Sequence, residues 1–155
     1  MIMVKKYISL VVLVMLLFSC KQSYNDATIK FIQYLHKHHH KEILSEQLYV
    51  VIPVYACDVC IEQIVEELKS KNHDNVTIII TSLLKVEANY LLKDIDNYEV
   101  LLDMGEEIHK INLAPRMHPL LVRVENGNII DMLEVNYATT MRESFELLEL
   151  FSSDM

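Results

Sequence analysis

Glycine and proline are scarce in this sequence, which contains only two glycines and three prolines among 155 residues. Loops that bind phosphate need several glycines at fixed spacing, because the backbone must approach the ligand closely. The sequence contains no such run. It also lacks internal repeats and low-complexity linkers, so it does not predict a solenoid or a chain of separate domains.

Basic residues are also few. Lysine and arginine number 14 against 22 aspartates and glutamates, which gives a formal net charge of −8. An acidic protein body repels the phosphates of nucleic acids and the surfaces of anionic membranes. We therefore expect no nucleic-acid partner.

An extended apolar run is found within the first twenty residues. Lys5 and Lys6 precede an apolar stretch over residues 7–18, which is too short to span a bilayer comfortably. A basic pair followed by such a stretch is typical of a secretory signal. We predict that residues 1–19 are a signal peptide and that the rest of the chain leaves the cytoplasm. Without Lys5 and Lys6, 12 basic residues would face 22 acidic ones, and the formal charge would be −10.

The apolar stretch ends in Leu17-Phe18-Ser19-Cys20, which resembles the lipobox of bacterial lipoproteins. The resemblance implies that Cys20 is acylated and becomes the first residue of the mature chain. It predicts a protein of the bacterial cell envelope, held to a membrane by the lipid on Cys20 and facing the periplasm or the exterior. Residues 20–26 would then form the anchor and linker, and residues 27–155 a single domain. A plain signal peptide or a single transmembrane anchor is the alternative.

Cysteine occurs only three times. If Cys20 carries lipid, the folded domain keeps only Cys57 and Cys60, in the sequence Cys-Asp-Val-Cys. A disulfide between them would close a very short loop, so it would restrict the unfolded chain little and add little stability. Outside the cytoplasm such a disulfide can persist. The pair is therefore a redox-active dithiol, half of a metal site or an inert pair.

The residues around the two cysteines predict a strand, a helix and a second strand. Residues 48–55 are apolar and rich in β-branched residues, as expected for a buried strand, although Pro53 is unusual there. Apolar residues then recur at helical spacing, at Ile61, Ile64, Val65 and Leu68. Residues 76–81 form a second buried strand. Short connections through a helix imply that the two strands are parallel and joined by a right-handed crossover.

The remaining segments complete an α/β pattern. A first helix is capped by Asn25 or Asp26 and has a stripe of Ile29, Phe31, Ile32 and Leu35. Further on we predict a helix over 83–95, a strand over 98–103, a helix over 106–113, strands over 119–124 and 128–133, and a last helix capped by Thr139 or Thr140. Asn126-Gly127 between the last two strands predicts a tight hairpin.

Four of these strands predict the core of one sheet. Residues 49–54 would be central, parallel to 76–81 and antiparallel to 119–124, with 129–133 at the edge. The parallel pair follows from the crossover, and the antiparallel edge follows from the hairpin.

The order of these elements resembles the thioredoxin-like fold over residues 45–152. Three features carry the resemblance: Cys57 and Cys60 at the start of a helix, His118-Pro119 opening a hairpin, and the strand order. It is closest to the lipid-anchored or periplasmic TlpA-like branch, related to thiol-disulfide oxidoreductases and peroxiredoxins. The resemblance implies a central mixed β-sheet flanked by helices, with Pro119 as a cis-proline packed against the dithiol and His118 in contact with substrate.

The chemistry of such a pair follows from its position. A thiolate at Cys57 would lie at the positive end of the helix dipole, beside unpaired backbone N–H groups, which stabilise it as a nucleophile. Cys60 lies one turn deeper and could resolve a mixed disulfide formed on Cys57. We therefore predict a thiol-disulfide oxidoreductase that acts on a protein or a small thiol or disulfide, needs no cofactor and is a monomer. The more exposed cysteine should be Cys57.

The sequence also departs from the thioredoxin pattern. Thioredoxins carry tryptophan before the first cysteine and Gly-Pro between the two, where this chain has Ala56 and Asp58-Val59 and no tryptophan anywhere. Many members also bury a carboxylate in the preceding strand, and residues 48–55 contain none. These departures favour the alternative, a non-catalytic thioredoxin-like lipoprotein that binds a metal or a partner.

Two groups of residues bear on metal binding. Two cysteines supply half of a zinc site, and His118 is the nearest candidate to complete it. His36 and His40 could chelate a metal if the segment between them is helical, although a solvated helix face explains this histidine-rich stretch as well. We predict no bound metal.

Overall fold

A computed structural model of the protein describes residues 25–71, 73–136 and 141–151. The predicted signal peptide of residues 1–19, the predicted lipidation site Cys20 and the predicted caps Thr139 and Thr140 lie outside these ranges. None of the helices within them is both long enough and apolar enough to cross a membrane.

A mixed sheet forms the centre of the described structure. Its strands, in chain order, are β1 Glu46–Pro53, β2 Val76–Thr81, β3 Glu99–Asp103, β4 Leu120–Glu125 and β5 Asn128–Glu134. They are arranged in the order β3-β2-β1-β4-β5. The pairs β1–β2 and β2–β3 are parallel, whereas β1–β4 and β4–β5 are antiparallel.

The central position predicted for β1 is confirmed. Val51 lies opposite Ile79 of β2 on one side and Leu120 of β4 on the other. All residues of β1 after the first are buried, as the continuous apolar run indicates. The predicted four-stranded core is present, and β3, the strand predicted over 98–103, extends the sheet beyond β2 to five strands. The β2–β3 connection contains a helix, as the β1–β2 connection does, and such a connection again makes the strands parallel.

Within the described ranges, five helices surround the sheet. They are α1 over residues 25–39, whose last turn Leu35–His39 is a π-helix, α2 Asp58–Ser70, α3 Lys85–Leu92, α4 Glu107–Lys110 and α5 Met141–Glu149. The third and fourth are shorter than predicted. Asn112 follows α4 with φ 56°, in the left-handed region, which prevents the helix from continuing to Leu113.

The core has two sides because alternate residues of β1 point to opposite faces of the sheet. Leu48, Val50 and Ile52 belong to a cluster that includes buried residues of α2, α3 and α5. Tyr49 and Val51 belong to a second cluster with residues of α1 and α4. Both faces of the sheet are therefore covered, with α2 and α3 on the same side.

The buried face of α1 differs from the predicted stripe. Phe31 and Leu35 are fully buried, but Ile29 and Ile32 are 54% and 38% exposed. Tyr34 is buried in their place, at 2% exposure. Its ring is amphipathic, so it can contact the core while its hydroxyl finds a polar partner. Asn25 and Asp26, predicted as caps, already lie within the helix.

The hairpin between β4 and β5 is confirmed. Asn126 and Gly127 have φ values of 51° and 71°, the pair of left-handed conformations that a tight hairpin turn requires. The β4–β5 register shifts between Arg123 and Val124. At the opposite edge of the sheet, Lys41 Nζ contacts Glu99 Oε1 of β3 at 2.5 Å, and this hydrogen bond lowers the pKa of Glu99.

The architecture confirms the predicted fold class. A five-stranded mixed sheet is flanked by helices, and Cys57 and Cys60 lie where the central strand leads into α2. The fold is thioredoxin-like.

Candidate redox site

Cys57 and Cys60 lie beyond the carboxyl end of β1. The chain turns after the strand, where the Ala56 N–H donates to the Pro53 carbonyl, and Cys57 is the N-cap of α2. The Sγ atoms of the two cysteines form a disulfide, and their Cα atoms are 5.2 Å apart. The predicted position of the pair at a helix N-terminus is therefore confirmed.

The two cysteines differ in exposure, as predicted. Cys60 is fully buried in the core cluster, whereas Cys57 is partly exposed. The backbone N–H of Cys60 donates to Cys57 Sγ at 3.4 Å. After reduction, this N–H and the free N–H groups of the first helical turn would stabilise a Cys57 thiolate.

The segment that precedes β4 lies beside the dithiol. The Cys57 N–H donates to the Met117 carbonyl at 3.2 Å, although 60 residues separate them in sequence. Pro119 is buried, and its carbonyl accepts from the Val135 N–H at 2.8 Å. The fold therefore brings the His118-Pro119 segment to Cys57, as the resemblance implies.

The predicted cis peptide before Pro119 is wrong, since the described residues contain no cis peptide bond. Trans is the lower-energy form of a peptide bond before proline by about 0.5–1 kcal/mol. The Met117 and Pro119 carbonyls both find hydrogen-bond donors in the trans geometry, so the contacts of the loop do not require the other isomer.

His118 faces the antiparallel edge of the sheet. Its Nδ1–H donates to Glu134 Oε1 at 2.6 Å, and the two side chains are 37% and 47% exposed. This places His118 at the rim of the site. The substrate-binding role of His118 and Pro119 stays a prediction.

The histidine-rich end of α1 does not form a helical metal pair. The last turn is a π-helix, and His40 has φ 53°, so the α-helical spacing between His36 and His40 is lost. His39 is engaged elsewhere, with its Nε2–H donating to the Tyr34 hydroxyl at 2.9 Å. Within the described part of the chain, no three His, Cys, Asp or Glu residues are grouped to hold a metal ion.

Two buried carboxylates at the carboxyl end of β3 were not predicted from the sequence. Asp103, at the end of β3, accepts from the Glu107 and Ile108 N–H groups at 2.9 and 3.0 Å. It also accepts from the Tyr34 hydroxyl at 3.1 Å. Glu106 is 8% exposed and forms an ion pair with Arg116. An aspartate ending a strand just before a helix is the signal that could have identified Asp103.

The network around Asp103 also affects ionisation. Burial, followed by the negative charge of Asp103, raises the pKa of Tyr34 far above its usual value. Burial lowers the pKa of His39, partly opposed by the charge of Asp103 and reinforced by His38 and His40. The phenol therefore stays protonated and keeps donating to the carboxylate, which ties α1 to the end of β3.

A second buried contact anchors the loop that leads to Met117. The His109 Nδ1–H donates to the Ala114 carbonyl at 3.0 Å, and in this tautomer Nε2 accepts from the Thr81 hydroxyl at 2.7 Å. Thr81 is the last residue of β2. The carboxyl end of β2 and the loop beside the dithiol are therefore held together.

The surface around the dithiol is partly apolar. Tyr55, Val59 and Met117 are 48%, 42% and 63% exposed. Asp58, next to Cys57, is exposed, so its carboxylate is not enclosed with the thiols. Interaction with the Glu87 carboxylate of α3 raises the pKa of Tyr55.

A groove of about 570 Å³ begins beside the dithiol and runs between α2 and α3. Its apolar lining comes from Val54, Ile61, Val65 and Leu91. Val54 and Asp58, which flank the turn containing Cys57, line one end. One end of the groove therefore lies at the start of α2, next to Cys57 in sequence, although neither cysteine lines it.

No family model and no curated protein matches this sequence. Among solved structures, the chain is similar to a protein from Chlorobium tepidum assigned as the thiol:disulfide interchange protein DsbE, with 16% identity and a TM-score of 0.46. That match covers 68% of this chain and 78% of the other. A thioredoxin-like protein from Aeropyrum pernix matches with 13% identity and a TM-score of 0.38, covering 67% of this chain and 78% of that one.

Proposed function

We propose that this protein is a thiol-disulfide oxidoreductase in which Cys57 attacks and Cys60 resolves. One observation carries the proposal: a partly exposed sulfur caps a helix and accepts a backbone N–H, with its disulfide partner fully buried beneath it. An inert disulfide needs neither the helix N-terminus nor the difference in exposure. A nucleophile and its resolving thiol need both.

The reaction follows from this arrangement. In the reduced protein, the Cys57 thiolate attacks one sulfur of a substrate disulfide, forms a mixed disulfide and releases the other substrate sulfur as a thiolate. Cys60 attacks Cys57 Sγ and its proton passes to the departing substrate sulfur, which restores the Cys57–Cys60 disulfide and releases the second substrate thiol. Two electrons pass from the protein to the substrate. A dithiol donor protein would return the pair to the reduced form by the same exchange.

The test is to trap the mixed disulfide. Cys60→Ser should hold substrates on Cys57, because attack can proceed but resolution cannot. The experiment is performed in a Cys20→Ser background, which leaves Cys57 as the single thiol of the variant. Adducts are separated on non-reducing gels and identified by mass spectrometry after trapping in a host envelope.

The controls separate the attacking thiol from the resolving one. Cys60→Ala covers the case in which serine is not tolerated at this buried site, and it should trap the same adducts. Cys57→Ser, with Cys60 intact, should trap none. Equal trapping by the Cys57 and Cys60 variants, or no adduct on either Cys60 variant, would refute the proposal.

We also propose that the protein acts outside the cytoplasm, held to a membrane by lipid on Cys20. The support is the basic pair, the short apolar stretch and the ending Leu17-Phe18-Ser19-Cys20. Intact-mass analysis of protein purified from a bacterial envelope should give a chain beginning at Cys20 with added acyl mass. Cys20→Ser should lose that mass and leave the membrane fraction after processing. A chain that retains Met1, or an unmodified Cys20, would contradict this.

A further inference from the structure

The groove between α2 and α3 has the length of a short peptide segment. Its lining runs along α2 from Asp58 to Lys69. The eleven residue-to-residue steps between them rise about 16 Å, the span of about five residues of extended chain. Tyr90 of α3 lies on the rim and is 75% exposed. Beside the dithiol there is thus room for the residues that flank a substrate cysteine.

The charge of this groove is strongly one-sided. Its acidic lining residues are Asp58, Glu62, Glu66, Glu87 and Asp94. Lys69 is its one basic lining residue, and Lys69 Nζ is already paired with Asp94 Oδ1 at 2.7 Å. Among the described residues, no cation forms an ion pair with Asp58, Glu62 or Glu66. Glu62 and Glu66 are exposed.

We infer that this groove binds a basic polypeptide segment adjoining the substrate cysteine. The inference rests on the proposed function and names its substrate class. The apolar floor fits a polypeptide better than an inorganic cation, and the rim selects for positive charge. Glu62 and Glu66 are one helical turn apart, about 6 Å along α2, close to the spacing of about 7 Å between alternate residues of an extended chain. Lysine or arginine at every second position therefore reaches both carboxylates.

These charges act mainly on the rate at which a substrate associates with the groove. Exposed ion pairs each contribute little to stability, but together they attract an oppositely charged partner and orient it, and salt screens this attraction. Basic substrates should therefore form the mixed disulfide faster at low salt, and lose that advantage at high salt.

The experiment uses the full chain carrying Cys20→Ser and Cys60→Ser, kept in a neutral detergent. Its probes are three short peptides, each with one cysteine that is joined by a disulfide to thionitrobenzoate. After the cysteine, valine alternates with lysine in the first peptide, with glutamate in the second and with serine in the third. The Cys57 thiolate attacks the peptide sulfur, forms the peptide mixed disulfide and releases coloured thionitrobenzoate. We expect the Lys peptide to react roughly tenfold faster than the Glu peptide at about 20 mM NaCl, and nearly equally at about 500 mM.

Charge variants localise the effect to the groove. Glu62→Gln with Glu66→Gln should lower the Lys-to-Glu rate ratio at least about threefold at low salt. The matched control, Glu42→Gln with Glu46→Gln, removes the same charge from exposed positions near the start of β1, at the other end of the central strand. It should leave the ratio nearly unchanged.

The outcomes separate this inference from the proposed function. Equal rates for all peptides, or equal effects of the two double variants, overturn the groove assignment and leave the oxidoreductase intact. If no peptide forms a mixed disulfide, the proposed function fails. Binding of serine-for-cysteine peptides to the disulfide form, measured by fluorescence anisotropy, then decides the groove alone. Preference for the Lys version, lost in the Glu62 and Glu66 variant, supports it, and equal binding overturns it.

Discussion

Replacing Cys57 with serine is expected to slow disulfide exchange by roughly a thousandfold or more, because the remaining thiol lies inside the core. Cys60 is fully buried, so a disulfide reagent cannot approach its sulfur without local opening of the structure. The measurement is stopped-flow release of thionitrobenzoate from its symmetrical disulfide by the reduced protein, in the Cys20→Ser background.

Cys60→Ser is the matched control for that measurement. Its fast phase should persist, because Cys57 still attacks, but it should release one thionitrobenzoate per chain where the intact pair releases two. A fast phase that survives in Cys57→Ser and disappears in Cys60→Ser would assign attack to the buried cysteine and contradict the arrangement at the helix N-terminus. Circular dichroism of both variants confirms that they are folded.

Asp103→Ala is expected to reduce the free energy of unfolding by about 3 kcal/mol, since it leaves several buried hydrogen-bond donors without an acceptor. The lost bonds are those to the Glu107 and Ile108 N–H groups and to the Tyr34 hydroxyl. The first two stabilise the start of α4, and the third holds α1 against β3. Urea unfolding monitored by circular dichroism measures the change.

Two further variants calibrate the Asp103 result. Tyr34→Phe removes one of the three bonds and should cost about 1 kcal/mol. Asp96→Ala removes an exposed aspartate and should change the free energy by less than about 0.5 kcal/mol. If Asp103→Ala were no more destabilising than Asp96→Ala, the carboxylate would not be the link between α1, β3 and α4.

The parts of the fold that could be predicted depend on local rules. The apolar run of β1 indicates burial on both faces, and the helical spacing from Ile61 to Leu68 identifies α2. Asn126-Gly127 identifies the hairpin because few other residue pairs adopt two left-handed conformations in succession. The difference in exposure between Cys57 and Cys60 also follows locally, from their positions on the first turn of one helix.

The parts that could not be predicted depend on contacts between distant segments. Tyr34 contacts Asp103 across 69 residues, and neither residue carries a local sign of the other. The peptide isomer before Pro119 is set by a small energy difference, which the surrounding contacts can decide either way. Tyr34 is buried in place of Ile29, and this depends on its distant partner Asp103. Sequence periodicity marks an apolar face but not where a polar group inside it finds a bond.

The edges of the sheet affect whether crowded copies of this chain aggregate. An unpaired strand edge can add a strand from a neighbouring molecule and begin aggregation, unless charge or irregularity prevents it. At one edge, β3 has only five residues and Glu99 is held by Lys41. At the other, β5 carries the charged residues Asp131 and Glu134, and its register against β4 is shifted. A lipid tether would concentrate copies on one membrane surface, and these edges disfavour the joining of their sheets there.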